Sequence, residues 1–273
     1  MTIKLAYHAN CWGPLGGDAV GVTSITQLTY RTFGDMERAI HEIGKAGYTG
    51  TELFDGNLLD YGGNQAALRN ALSQAGVQLV AGYSGGNFIF DEILGEEMAR
   101  IERSAGAAAE LGAEHLVVGG GAKRAGGTQP DDIRKLGAAL DKVADIAERA
   151  GLVAHYHPHL STIVEGPETV REVFRHTHIN FCPDTAHLAA AGGDPAAQVR
   201  EFKDRISYVH LKGLQREPFQ FTPLDTGDLD NGAVIAALRQ AGYSGWIAAE
   251  LDAWPDPLEG AVRSFKYMTD HLA

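Results

Sequence analysis

Short apolar runs alternate with longer amphipathic segments about eight times along this chain, and this alternation constrains the fold more than any other feature. The runs are nearly continuous in Val, Ile, Leu, Tyr and Ala, as strands buried on both faces are. We predict strands at Lys4–His8, Gly50–Phe54, Gln78–Tyr83, His115–Gly119, Leu152–His157, Ile179–Pro183, Ser207–Leu211 and Trp246–Leu251. Helices are predicted between them, at Asp35–Ala46, Asn64–Ala75, Glu96–Leu111, Asp131–Ala150, Glu168–Arg175, Pro195–Asp204, Asn231–Ala241 and Leu258–Leu272.

Five of the predicted helices stop in the same way before the next strand. A glycine just past a helix takes the left-handed conformation at low cost and turns the chain back toward the sheet. These glycines are Gly47, Gly76, Gly112, Gly151 and Gly242. Eight strand–helix units with such stops predict an α/β fold, a single (β/α)8 TIM barrel that fills residues 1–273 as one domain. An open doubly wound sheet fits less well, because the glycine-rich fingerprint after the first strand is missing.

Composition and charge narrow the class of partner. Hydrophobic residues make up 44% and charged residues 21%, as in globular proteins, and the net charge is 23 − 35 = −12. Such acidity argues against nucleic-acid binding and favours a small-molecule substrate. No stretch approaches 18 uncharged apolar residues, so no membrane span is expected. The two distant cysteines, Cys11 and Cys182, and the lack of a signal-peptide core predict a cytoplasmic protein.

In such a barrel the active site lies at the C-terminal ends of the strands. The sequence places an unusual density of polar residues there, and we expect them to converge at one mouth. They are His8, Asn10, Glu52, His155, His157, His159, Asp184, His187, His210, Lys212, Glu250 and Asp252.

The strand near residue 155 carries two histidines on one face, because side chains alternate along a strand. His155 and His157 either satisfy each other in the dry interior or serve a site there. Taking one residue from each of four consecutive strands gives His155, Asp184, His210 and Glu250. This mixture of nitrogen and oxygen ligands predicts one divalent metal ion, Mn²⁺ before Co²⁺, Fe²⁺ or Zn²⁺, and disfavours Ca²⁺. Asp184 alone is equally consistent with a helix cap.

Four motifs together resemble the xylose isomerase-like TIM barrel superfamily, most closely its inosose dehydratase branch and the sugar isomerases and epimerases related to it. The motifs are Ala154–His159, Asp184–Leu188 with Ala191–Pro195, Val209–Lys212 and Gly242–Glu250. The resemblance covers nearly the whole chain. It implies metal ligands at the ends of strands five to eight, usually Glu, Asp, His and Glu. Asp184, His210 and Glu250 match, whereas His155 stands where the epimerases and a related dehydroshikimate dehydratase have Glu.

The resemblance also implies roles around the metal. His157, two residues beyond the expected ligand, corresponds to the catalytic base of the dehydratase relatives, and His187 and Lys212 to positions that contact substrate. Lys212 is expected to be catalytic as well. Glu52 is expected to bind a substrate hydroxyl, to act as a second acid or base, or to be the buried partner of a histidine such as His8. His8, His159, Trp12 and Trp254 are the further candidates for binding substrate.

The expected activity follows from this site. A metal-bound ketone loses its α-proton to a base and forms an enediolate, which then expels a leaving group or is reprotonated. We predict a metal-dependent lyase (dehydratase) on a keto-sugar or keto-cyclitol, such as inosose or a 3-keto-glycoside. The alternatives are a sugar isomerase or ketose 3-epimerase with the same metal site, and a non-catalytic sugar-binding or partner subunit. An endonuclease IV-like nuclease is disfavoured by charge and ligands, and a homo-oligomer or a heteromeric partner is possible.

Overall fold

The strands of the chain build one barrel. The structure is a computed structural model that describes residues 2–13, 29–62 and 64–273. Its strands are β1 (Ile3–His8), β2 (Gly50–Phe54), β3 (Gln78–Gly86), β4 (His115–Gly120), β5 (Val153–His157), β6 (Asn180–Phe181), β7 (Tyr208–Leu211), β8 (Gly213–Gln215), β9 (Gln220–Thr222) and β10 (Gly245–Ala249). Eight of them form a parallel sheet in the order β6-β5-β4-β3-β2-β1-β10-β7, and a parallel bridge from Asp184 to His210 joins its two ends. The predicted (β/α)8 TIM barrel is confirmed.

Helices surround the sheet. They are α1 (Met36–Ala46), α2 (Asp55–Asp60), α3 (Gln65–Ala75), α4 (Asp91–Glu110), α5 (Asp132–Arg149), α6 (Pro167–Val173), α7 (Thr185–Ala190), α8 (Pro195–Glu201), α9 (Asn231–Gln240) and α10 (Pro257–Leu272). Short 3-10 turns add Ala9–Trp12 and Lys203–Arg205. Helices α2 and α7 were not predicted, because six residues are too few to show a helical period.

The glycine stops have the predicted conformation. The φ angles of the five glycines are all positive, at 109°, 65°, 88°, 77° and 74° for Gly47, Gly76, Gly112, Gly151 and Gly242. In each case the left-handed residue ends the helix and returns the chain to the barrel.

Two apolar layers hold the barrel together. One lies between the sheet and the helices, where α5 buries Leu136, Leu140 and Val143. The other fills the barrel axis with residues such as Val80 and Val117. Across the described parts of the chain, no helix combines the length and the apolarity needed to cross a bilayer.

All eight barrel strands are parallel, so their C-terminal ends meet at one end of the barrel. There the inward side chains change from apolar to polar. The polar residues brought together are His8, Glu52, His157, Asp184, His210, Lys212, Glu250 and Asp252, all of them buried.

Candidate metal centre and active site

Four buried side chains at the barrel mouth converge on one point. His157, Asp184, His210 and Glu250 each offer a ligand atom, and these atoms lie within 4.8 Å of one another. The residues follow or end strands β5, β6, β7 and β10. Three of the four expected ligands are therefore brought together, and the fourth position is taken by His157.

The structure corrects the expectation for His155. Its side chain faces the barrel interior as predicted, but two residues along a strand span about 6.6 Å. His155 therefore lies one layer deeper, with Nε2 3.0 Å from Nδ1 of His115 and its ring 5.8 Å from that of Tyr208. His157 lies nearer the mouth, where its Nε2 is 3.5 Å from Oδ2 of Asp184.

The four converging atoms fit a divalent cation. Nε2 of His157, Oδ2 of Asp184, Nδ1 of His210 and Oε2 of Glu250 are buried, and the described residues give none of them a hydrogen-bond partner. Nδ1 of His210 and Oε2 of Glu250 are only 2.6 Å apart, without the angles of a hydrogen bond. Because buried acceptors without partners cost about 1–3 kcal/mol each, a cation that all four contact accounts for the arrangement.

The charges of the site support the same conclusion. Four buried carboxylates, those of Glu52, Asp184, Glu250 and Asp252, lie at the mouth with one buried ammonium, that of Lys212. Counting all four carboxylates as ionised, and one positive charge each on Lys212 and on the imidazole of His210, two negative charges remain. Buried charge is stable only when it is compensated.

Glu52 is placed behind the cluster. Its Oε2 accepts a hydrogen bond from Nε2 of His210 at 3.0 Å, and its Oε1 lies 3.2 Å from Nε2 of His8. Of the roles expected for Glu52, the structure favours that of a buried partner of histidines. Burial lowers the pKa of His210, but Glu52 and Glu250 outweigh it and raise that pKa to about 10. Burial lowers the pKa of His8 to about 4.

Lys212 is the buried cation of the mouth. Its Nζ donates to Oε1 of Glu250 at 2.8 Å and to Oδ1 of Asp252 at 3.1 Å, and lies 3.6 Å from Oδ2 of Asp184. Burial lowers the pKa of Lys212, but the three carboxylates outweigh it and raise the pKa above its usual value. Lys212 therefore carries its proton at neutral pH. Burial also raises the pKa of its neighbour Asp252, to about 7.

His159 and His187 stand together at the rim. Nδ1 of His159 is 2.7 Å from the carbonyl oxygen of Leu160, which can only accept, so this nitrogen carries the proton and Nε2 is the free base. Burial, helped by His157, lowers the pKa of His159 to about 4, so the ring is neutral at pH 7. The ring centroids of His159 and His187 are 3.7 Å apart. Nε2 of His187 accepts a hydrogen bond from Nζ of Lys212 at 3.3 Å.

Aromatic side chains border the cluster on two sides. The ring of Tyr83 lies 5.5 Å from that of His157 and packs on Phe54. On the opposite side Nζ of Lys212 is 4.7 Å from the ring of Phe221, which also contacts His187. Phe221 belongs to the hairpin of β8 and β9.

The two tryptophans predicted to contact substrate point elsewhere. The indole N–H of Trp12 donates to Glu42 on α1 at 2.6 Å, and that of Trp254 donates to Glu259 on α10 at 2.5 Å. Each indole is thereby tied to a helix outside the barrel, so neither lines the metal cluster.

The sequence contained a signal for the corrected ligand. The motif His-Pro-His at 157–159 repeats the spacing of a ligand followed two residues later by a base. Shifted by two residues, this spacing puts the cluster position at His157, as the geometry does, and a second histidine, His159, two residues further on.

Comparison with known proteins defines the class. A family model described as xylose isomerase-like TIM barrel matches residues 40–271, and the chain belongs to this family. The rhizopine catabolism protein MocC of Rhizobium meliloti is 27% identical over 94% of this chain and 83% of its own length. An inosose dehydratase of Geobacillus kaustophilus is 26% identical over 81% of each chain. The match to the inosose dehydratase of Clostridium tetani, 26% identical, spans 52% of this chain and 56% of that relative.

Solved structures share the fold. The probable 3-DHS dehydratase AsbF of Bacillus anthracis superposes with a TM-score of 0.76 at 12% identity, over 97% of this chain and 98% of its own. The 3-keto-D-glucoside 4-epimerase YcjR of E. coli gives 0.74 at 17% identity, over 98% and 100%. The expectation of an enzyme of the lyase or isomerase/epimerase type is confirmed.

Proposed function

We propose that this chain is a divalent-metal-dependent dehydratase that removes the proton next to the ketone of a keto-sugar or keto-cyclitol and then releases water. The observation that carries the proposal is the pairing of two features at one mouth. Four unpartnered ligand atoms lie within 4.8 Å of one another, and a neutral histidine with a free Nε2 stands beside them.

The metal would be held by His157, Asp184, His210 and Glu250. Two imidazoles and two carboxylates suit Mn²⁺, our first choice, and also Co²⁺, Fe²⁺ or Zn²⁺. When bound, such an ion acts as a Lewis acid on a ketone oxygen and lowers the free energy of the charge that develops there by several kcal/mol.

His159 is our candidate for the base. Its Nδ1–H is held by the carbonyl of Leu160, so Nε2 is ready to accept a proton, and the half-buried ring lies beside those of His157 and His187. A positioned base contributes about 10²–10⁴-fold to the rate. Lys212 keeps its ammonium at the cluster, where a fixed positive charge stabilises the oxygen that becomes negative.

The elimination balances with these groups alone. The C–H bond next to the ketone breaks and its proton passes to Nε2 of His159, leaving the electron pair on the substrate as an enolate. That pair then forms the carbon–carbon double bond as the C–O bond to the β-hydroxyl breaks. The proton returns from His159 to the departing hydroxide, so the net change is the loss of one water.

The substrate class is drawn from the relatives and from the site. Inosose dehydratases and the 3-keto-D-glucoside 4-epimerase bear names that point to ketones on polyhydroxylated six-membered rings. We therefore propose inosose or a 3-keto-glycoside as substrate. Asn10, whose amide donates to Glu250 at 3.2 Å and to Asp252 at 3.0 Å, holds the carboxylates that face such hydroxyls.

The first experiment is metal analysis of the purified protein, followed by incubation of each candidate with Mn²⁺ in deuterium oxide. Deuterium incorporation together with a product one water lighter than the substrate supports the dehydratase. Incorporation without loss of water favours the isomerase or epimerase. A protein that binds no Mn²⁺ and exchanges nothing refutes enolate chemistry and favours a non-catalytic binding subunit.

The base is tested with His159→Asn. We expect exchange and turnover to fall by about 10²–10⁴-fold while the Mn²⁺ dissociation constant stays within threefold of wild type, about 0.7 kcal/mol. The matched control is His41→Asn, which changes an exposed histidine on α1 and should leave exchange, turnover and the Mn²⁺ dissociation constant unchanged. Full exchange in His159→Asn would show that another group removes the proton.

A further inference from the structure

Glu52 is a buried carboxylate that takes no part in the proposed proton transfers. Its relative exposure is 0%, and it lies on β2, paired in register with His8 on β1. Its two oxygens face two different imidazoles, with Oε2 3.0 Å from Nε2 of His210 and Oε1 3.2 Å from Nε2 of His8. Burying a carboxylate away from water costs free energy, so the contacts of Glu52 must offset that cost.

The contact with His210 determines which nitrogen of that ring is free. A carboxylate only accepts, so Nε2 of His210 carries the proton that it donates to Glu52. Nδ1 is on the other side of the ring, among the atoms that converge with His157, Asp184 and Glu250. A metal that binds His210 displaces the proton of the nitrogen it takes, and Glu52 keeps the proton on Nε2, so this orientation presents Nδ1 to the cluster.

His8 is oriented independently of Glu52. Its Nδ1 accepts the backbone N–H of Asn10 at 3.1 Å, which places its own proton on Nε2. Nε2 of His8 lies 3.2 Å from Oε1 of Glu52, without the angles of a hydrogen bond. Among the hydrogen bonds of the described residues, the side-chain bond of Glu52 is therefore the one with His210.

We infer that Glu52 is a positioning residue that fixes the tautomer and the ring orientation of His210 and thereby strengthens divalent-metal binding at the cluster. The inference rests on the metal site of the proposed function. Partners of this kind behind a ligating histidine typically change metal affinity by about 10–100-fold. We expect the effect on the dissociation constant of the metal, since Glu52 contacts the cluster only through its hydrogen bond with His210.

The test measures Mn²⁺ dissociation constants by competition with a chelator for wild type, Glu52→Leu and Glu52→Gln. We expect Glu52→Leu to weaken Mn²⁺ binding about 10–100-fold. Glu52→Gln, in which an amide oxygen still accepts from His210, should weaken it less. Glu97→Gln is the matched control. Glu97 is also a buried carboxylate, but it bonds the backbone N–H groups of Asn87 and Phe88.

A spectroscopic readout separates positioning from a loss of fold. In Zn²⁺-loaded protein with ¹⁵N-labelled histidine, the Nε2 proton of His210 should exchange slowly in wild type and Glu52→Gln, and fast in Glu52→Leu. Thermal melts of the metal-free proteins identify any variant that fails to fold. If Glu52→Leu fails to fold, the comparison of Glu52→Gln with wild type is the test.

The outcomes are distinct for the two claims. A wild type that takes up no metal overturns the proposed function, and this inference with it. A wild type that binds Mn²⁺ while Glu52→Leu and Glu52→Gln bind it equally well, with the Nε2 proton of His210 unchanged, overturns only the role of Glu52.

Discussion

His155 and His157 offer a sharp test of the candidate metal centre, because the sequence favoured the first as ligand and the structure the second. Both are buried on β5 and face the barrel interior. Nε2 of His157 lies 3.5 Å from Asp184 and 3.9 Å from Glu250, whereas Nε2 of His155 lies 3.0 Å from His115. Replacing His157 with asparagine should therefore weaken metal binding, whereas replacing His155 with asparagine should leave it unchanged.

The expected size follows from binding linkage. At a Mn²⁺ concentration about 1,000 times the dissociation constant, binding stabilises the fold by about 4.1 kcal/mol. For a domain of this size that raises the melting temperature by about 8–16 °C. Losing a ligand costs at least the upper end of the 10–100-fold seen for residues behind a ligand. His157→Asn at the same Mn²⁺ concentration then gains at most about 1.4 kcal/mol, or about 3–6 °C.

His155→Asn should behave differently. Its metal-free form should melt lower than wild type, because His115 loses its partner at a cost of about 1–3 kcal/mol. The rise produced by Mn²⁺ should remain as large as in wild type. The assay is thermal unfolding with EDTA and with Mn²⁺, read by circular dichroism. If His155→Asn abolishes the Mn²⁺ shift and His157→Asn keeps it, the assignment of the ligand made here is wrong.

Three further predictions follow from the site and the core. Lys212→Met should lower the free energy of unfolding of the metal-free protein by about 3–5 kcal/mol in urea titrations, because it leaves buried carboxylates without their cation. Adding Asp252→Asn should recover part of the loss, and full stability of the single variant would contradict the ion-pair network. Burial lowers the pKa of His115 to about 4, so the unfolded chain takes up a proton near pH 6.5 that the folded chain refuses until about pH 4. The free energy of unfolding therefore decreases as the pH is lowered from about 6.5 to about 4. In His115→Asn the slope of that free energy against pH should be smaller by about 1.4 kcal/mol per pH unit. Equal slopes in wild type and variant would argue against a buried neutral His115. Gly119→Ala places a Cβ 2.1 Å from Oη of Tyr83, so the ring beside the cluster must move. We expect the free energy of unfolding to drop by about 1–3 kcal/mol and turnover to slow. The control is Gly106→Ala, whose added Cβ meets no atom within 4 Å. Unchanged turnover in Gly119→Ala would show that the position of Tyr83 does not matter to the reaction.

Much of the fold could be predicted because its signals are local. The alternation of apolar runs and amphipathic segments follows from the periods of strands and helices, and each glycine stop depends on one residue's freedom to take a positive φ. For the same reason the residues of the barrel mouth could be named in advance, since the C-terminal ends of parallel strands must meet. Helices of six residues and the hairpin of β8 and β9 were missed because so few residues show no period.

Three of the residues predicted for the site make side-chain contacts that no periodic pattern in the sequence indicates. Glu52 meets His210 across 158 positions of sequence, and nothing near either residue indicates that pairing. The side chains of Trp12 and Trp254 turn to glutamates on α1 and α10, since an indole N–H seeks an acceptor wherever packing provides one.

The sequence by itself determined that β5 directs His155 and His157 to the same face, because the period of a strand is two residues. Only the tertiary structure decided which of them meets the other ligands. His155 is level with Asn180, four residues before Asp184, while Asp184 is level with His210. The relative height of side chains on neighbouring strands is set by register and by the stagger of the closed barrel, which are properties of strand pairing and not of any one strand.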